Sequence, residues 1–237
     1  RAFMRGFLKD GAWWKIPLIG GDLSHSETVV VNVTVLGNFQ RGVPILRSKA
    51  QDQDALILIG DVGFSRLGLE MLQGEDCTSL ATMVHEDTLI NWAGDTFRAQ
   101  CLKAHLLPQP LVEVGIWLSE NRLVNSMIDV SDGLCSDLLS IGRQNELTAE
   151  IEVSHLPIPE KGWGQTTALE AALNGGEDYA LLATASQEQL GRLESIYPSN
   201  FPAFRVIGAL SSGEPAVYLT QSGKRERCEP DGFDHFR

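Results

Sequence analysis

The chain has 237 residues, a hydrophobic fraction of 43% and a formal net charge of −12. That acidity argues against a nucleic-acid binder, which needs a dense basic face, and no apolar run is long enough to cross a membrane. An excess of acids instead suits an enzyme of phosphorylated substrates whose carboxylates are neutralised by metal ions. Cys77, Cys101, Cys135 and Cys228 are scattered without C-x-x-C spacing. They exclude a zinc ribbon or redox pair and read as reduced thiols of a cytoplasmic protein.

Residues 1–12 predict a helix, with Phe3, Met4, Phe7 and Leu8 on one face. Ile16 to Ile19 predicts a short strand running into Gly20-Gly21-Asp22, where two glycines let the backbone approach a phosphate or metal closely. Thr28 to Asn38 alternates through Val29, Val31, Val33 and Val35, the pattern of a half-buried strand. Gly42-Val43-Pro44 marks a boundary. Arg47 follows, in a loop that either contacts phosphate or simply carries an exposed charge.

Ala55 to Ile59 is a continuous apolar run, as in a strand covered on both faces. Gly60 to Ser65 then leads into a helix from Arg66. Strand, glycine-rich turn and helix present N–H groups to anions, although this stretch is neither a Walker A loop nor a G-x-G-x-x-G fingerprint. Helices are expected near 89–104 and 110–121. His85-Glu86-Asp87 lacks the second histidine of a zincin helix. Further on, the pattern predicts strands at 149–153, 179–184, 203–209 and 215–220, with helices at 166–173 and 187–196. Lys224 to Arg227 reads as a solvated turn. These elements make an α/β or α+β layer.

The central stretch is Met127-Ile128-Asp129-Val130-Ser131-Asp132-Gly133-Leu134. It predicts a buried strand, a tight turn and a helix start marked by Leu134, Leu138 and Ile141. Asp129 and Asp132 suit a hard cation such as Mg2+, which leaves positions for water and substrate phosphate. The plainer alternative is that Ser131 or Asp132 caps the helix. An EF-hand is excluded, because the twelfth position from Asp129 is Ser140 and not Glu. A further glycine-acid turn stands at Gly175-Gly176-Glu177-Asp178.

Taken in order, Gly20-Gly21-Asp22, Arg47-Ser48-Lys49-Ala50, Asp129 to Leu134, Gly175-Gly176-Glu177-Asp178-Tyr179 and Gly232-Phe233-Asp234-His235-Phe236 resemble the thiamine-monophosphate kinases. That family belongs to the superfamily of aminoimidazole ribonucleotide synthetase and selenophosphate synthetase. The resemblance implies ATP- and Mg2+-dependent phosphorylation of thiamine monophosphate to thiamine diphosphate by a cytoplasmic homodimer. It implies that Asp22, Asp129 and Asp132 hold Mg2+, Arg47 and Ser131 contact ATP, and Glu177 and Phe233 contact the substrate. Ordinary core packing is the competing role for Phe233. The implied fold is a C-terminal α/β domain, residues 43–237, with a mixed sheet covered by helices. Residues 1–42 would be the remnant of a β-rich ATP-binding and dimerisation domain, since the family's N-terminal segment is expected to be missing.

Several residues depart from the family pattern. Leu23 stands where Thr is usual, Leu107 and Leu111 where arginines flank the Pro-x-Pro segment, and Phe233 where Tyr or Trp is commoner. They keep two alternatives open: a sister enzyme acting on another substrate, or a non-catalytic domain that binds nucleotide or thiamine phosphate.

Overall fold

The computed structural model describes residues 2–38, 42–73 and 96–230. Contacts divide the chain into two compact units, Arg1–Asn38 and Phe39–Arg237.

In the first unit, helix α1 (Ala2–Trp13) forms as the apolar spacing predicts, and Phe3 stacks on Phe7 with ring centroids 6.0 Å apart. The strands expected at 16–19 and 28–38 are absent. Val29 is 93% exposed, and Val31, Val33 and Val35 are exposed as well. The alternation is that of a strand, but a strand needs a hydrogen-bonded neighbour, and no described residue pairs with this segment.

The second unit holds a seven-stranded mixed sheet. Its strands are β1 (Ala55–Ile59), β2 (Ser126–Asp129), β3 (Leu147–Glu152), β4 (Leu181–Ala185), β5 (Phe204–Ser212), β6 (Ala216–Gln221) and β7 (Lys224–Cys228). Their order is β2-β4-β1-β5-β3-β6-β7. Among the described strands, only β3 and β6 pair in parallel. The helices are α2 (Phe64–Gln73), α3 (Thr96–Leu106), α4 (Val112–Asn121), α5 (Leu134–Asn145), α6 (Ala168–Asn174) and α7 (Gln187–Ile196).

The apolar run of β1 is buried at every position because helices cover both faces of the sheet. Leu56 and Leu58 pack with Leu134, Leu138 and Ile141 of α5. Ile57 and Ile59 pack with Val114 and Leu118 of α4 and Leu193 of α7. Full burial of such a side chain contributes roughly 1.5–3 kcal/mol, so β1 is the spine of the unit. Helices α2 and α3 make a satellite cluster of Leu67, Met71, Phe97 and Leu102. No carbon would fit on Gly68, whose place lies against the Cys101 carbonyl, so glycine is what lets these two helices approach.

Lys224 to Cys228 corrects the expectation of a solvated turn: it is edge strand β7, paired antiparallel to β6. Ser222 and Gly223 between them both have positive φ, 51° and 77°, the geometry of a two-residue hairpin loop. The expected helix at 89–104 is seen only as α3, since its earlier part, like His85, lies outside the described residues.

Candidate functional site

Strand register brings the acidic turns to one edge of the sheet. Asp129 pairs with Leu181, which pairs with Ile59, and Ile59 also faces Phe204. The turn after β1, the turn after β2 and the loop before β4 therefore lie side by side.

The turn after β2 packs directly on the glycine-acid loop. Val130 N–H donates to the Ala180 carbonyl at 2.8 Å, Tyr179 N–H to Val130 at 2.9 Å, and Glu177 N–H to Ser131 at 2.8 Å. Glycine is required at two of these contacts. Gly133 has φ +101°, and a Cβ there would sit 2.8 Å from the Leu173 carbonyl. Gly176 has φ +69°, and its Cβ would sit 2.5 Å from the Ser131 carbonyl. Glu177 and Tyr179 also adopt positive φ, 57° and 54°. Non-glycine residues pay roughly 1–2 kcal/mol for that conformation. Such strain persists where surrounding contacts impose it.

Neither Ser131 nor Asp132 caps α5. The N-cap position is Gly133, with no side-chain cap. Instead, Asp137 reaches back from the first turn of the helix. Its Oδ2 accepts the Ser131 N–H at 3.0 Å and the Asp132 N–H at 3.2 Å. Burial pushes the Asp137 carboxyl up to about 6, against the lowering effect of those two bonds, and Asp132 and Asp129 add repulsion.

Asp178 does the same for the turn after β1. It accepts the Gly63 N–H at 2.7 Å and the Ser65 N–H at 3.1 Å, at the start of α2. Burial raises its carboxyl to about 7, and Asp61 and Glu177 add to the rise. Asp61 is itself pushed up by burial and eased by Arg205. The Tyr179 phenol is raised by burial and then by the fields of Glu177 and Asp129. Those couplings join the two acidic groups into one electronegative edge.

Asp129 and Asp132 are exposed, and their carboxylates form no hydrogen bond or ion pair with described residues. Ser131 is half-buried beside them. His105 of α3, which the sequence reading missed, lies 3.1 Å from Ser65 Oγ and 3.7 Å from a Glu177 oxygen. A cavity of about 280 Å3 adjoins this edge, lined by Asp61, Phe64, Lys103, Leu107, Leu111 and Tyr179 among others. Two of the residues that depart from the family pattern, Leu107 and Leu111, thus make part of its apolar wall.

Three further residues were expected at the site: Arg47, Asp22 and Phe233. Arg47 begins a short 3-10 turn, and its carbonyl accepts hydrogen bonds from Ser126 Oγ and Asn145 Nδ2. Those residues start β2 and end α5, so the Arg47 backbone is anchored at the end of β2 away from Asp129. Three strand steps, about 10 Å, separate Ser126 from Asp129. Asp22 belongs to the first unit, where its carboxylate accepts Ser24 Oγ at 3.4 Å. Phe233 lies outside the described residues. Among the described residues no three metal-ligating side chains form a ready-made cage. No helix among them is long and apolar enough to cross a membrane.

No family model matches the chain. The thiamine-monophosphate kinase of Haemophilus influenzae is 30% identical over 243 residues, covering 99% of this chain and 68% of that protein. That of Synechococcus elongatus is 33% identical over 228 residues, covering 93% of this chain and 63% of the other. A solved structure, AaThiL complexed with AMPPCP and TMP, aligns with a TM-score of 0.62 at 26% identity, covering 81% of this chain and 54% of that one. The chain spans about two thirds of the curated relatives' length and about half of that solved chain. Its fold is the α/β architecture of the aminoimidazole ribonucleotide synthetase-like proteins. Within that class, the chain belongs to the thiamine-monophosphate kinase family.

Proposed function

We propose that this chain takes part in transferring the γ-phosphoryl group of ATP to the phosphate of thiamine monophosphate, giving thiamine diphosphate. The observation that carries this reading is the family membership, joined to a solved relative that holds AMPPCP and TMP. Two polyanions must meet, so the chemistry asks for charge neutralisation and in-line positioning, with no need of a strong base.

The donor set fits Mg2+. Asp129 and Asp132 offer free carboxylate oxygens at the end of β2, and Mg2+ typically takes one or two carboxylates and completes its shell with water and phosphate. Bound there, the ion would supply charge neutralisation on the phosphates. Asp22, on the first unit, is proposed as a further ligand. The Ser131 hydroxyl and the Arg47 side chain are proposed to contact ATP, Arg47 on the family resemblance. Glu177 is proposed to meet the cationic thiamine, and the neighbouring cavity suits its rings. Phe233 is proposed as a ring contact on the family resemblance.

We read residues 1–42 as part of the ATP-binding and dimerisation domain and the working form as a homodimer. The exposed valines from Val29 to Val35 support this, since such a segment completes itself by pairing with another strand. The thiols Cys135 and Cys228, neither of them bridged, support a cytoplasmic setting.

Chromatographic detection of thiamine diphosphate from ATP, Mg2+ and thiamine monophosphate tests the reaction. Mg2+-dependent product is expected. ADP release with a different acceptor, and none with thiamine monophosphate, would reassign the chain to a sister activity.

A further inference from the structure

Asp137 is 3% exposed, on the helix whose Leu134, Leu138 and Ile141 join the core. An acid in such a place is costly unless its oxygens are satisfied. The Asp137 carboxylate forms hydrogen bonds to two successive backbone N–H groups, those of Ser131 and Asp132, both onto one oxygen. This contact closes a ring from the helix back over its own entry turn. It fixes the two peptide planes that flank Ser131, and with them the directions in which the Ser131 and Asp132 side chains leave the backbone. The Glu177 N–H, bonded to the Ser131 carbonyl, holds the same turn from the other side.

We propose that Asp137 is a positioning residue: through the N–H groups of Ser131 and Asp132 it sets the turn that presents Ser131, Asp129 and Asp132 to phosphate and metal. This rests on the functional reading above. Asp137 touches no substrate; it acts through the backbone of the turn. The sequence spacing hides it, because an acid in the first turn of a helix ordinarily needs no more explanation than the helix dipole.

The test compares the whole chain with Asp137→Leu and Asp137→Asn. Hydrogen exchange at the Ser131 and Asp132 amides is expected to speed up about tenfold or more in Asp137→Leu, the loss of one net hydrogen bond, while amides late in α5 keep their protection. Affinity for Mn2+·AMPPCP, read by electron paramagnetic resonance of the manganese, is expected to fall about 10- to 100-fold, as for lost outer-shell partners of metal ligands. Asp137→Asn should recover most of both, because one amide oxygen can accept both N–H groups. Unchanged exchange at Ser131 and Asp132 in Asp137→Leu overturns the positioning role, whether or not nucleotide binds. Equal Mn2+·AMPPCP affinity in wild type and Asp137→Leu also overturns it. A wild-type chain that binds no Mn2+·AMPPCP overturns the nucleotide reading itself, which is a separate failure.

Discussion

Each end of the sheet places a buried aspartate beside a turn, and the two ends treat it differently. At one end Asp54, 1% exposed, accepts Asn125 Nδ2 with both oxygens at 2.9 and 3.0 Å, Thr184 Oγ1 at 2.9 Å and the Gln51 N–H at 3.0 Å. It ties the beginnings of β1 and β2 to the end of β4. At the other end, Asp137 and Asp178 use their oxygens on backbone N–H groups, and around them stand Asp61, Asp129, Asp132 and Glu177. A closed neutral-donor network serves the fold. A set of carboxylates with open oxygens, stationed at a strand-to-helix turn, costs stability and makes sense if a cation completes it.

The comparison predicts opposite failures at the two ends. Asp132→Asn should lower thiamine diphosphate formation on the order of a hundredfold, by analogy with the loss of one electrostatic group at a reacting centre, with the melting temperature kept. Steady-state kinetics beside a thermal melt would check it. Asp54→Ala should do the reverse. It strands the donors of Asn125 and Thr184, costs about 2–3 kcal/mol and lowers Tm by roughly 5–10 °C. Specific activity of the folded fraction should hold. Equal effects from both substitutions would dissolve the distinction.

Much of this contrast was legible in the sequence because it depends on local patterns. The unbroken apolar run of β1 follows from burial on both faces. Helix α7 begins after a capping box of Ser186 and Gln189 and keeps its expected limits. The turns at Asp129 and Gly176 carried glycines whose positive φ now explains them. What stayed hidden depends on distance in space. Asp137 and His105 act on residues that no spacing rule connects to them. Strand β7 is charged along its length, as edge strands often are, so alternation gave no signal, and only Ser222-Gly223 hinted at the hairpin. The valine stretch from Val29 misled because its pattern states a strand's preference without supplying a neighbour.

A third prediction sharpens the contrast through pH. The fold holds the Asp178 proton more tightly than the unfolded chain, whose carboxyl releases it near the ordinary value of 3.8. Its contribution to stability is therefore complete below 3.8, shrinks as the pH rises and is gone once the pH passes about 7. Urea melts of the metal-free chain from pH 5 to pH 8, both round values inside or just beyond that window, should show stability falling. Asp178→Asn should reduce the slope, Asp137 supplying what remains up to about 6. A slope undiminished in Asp178→Asn would move the cause elsewhere.

The smallest expected effect is at His105. Its contact with Glu177 is 3.7 Å long, and the Glu177 side chain is 59% exposed, so the pair contributes little by itself. His105→Ala should raise KM for thiamine monophosphate about two- to fivefold, within the range of an exposed pair, and leave kcat nearly unchanged. A large loss of kcat would give His105 a more direct part.

On this reading the turn after β2 is where metal and phosphate meet. Titration calorimetry of the chain with AMPPCP, with and without Mg2+, in wild type and Asp129→Asn tests it most directly. Binding that needs Mg2+ and disappears in Asp129→Asn is expected. Binding indifferent to Mg2+, or unchanged by Asp129→Asn, would contradict it.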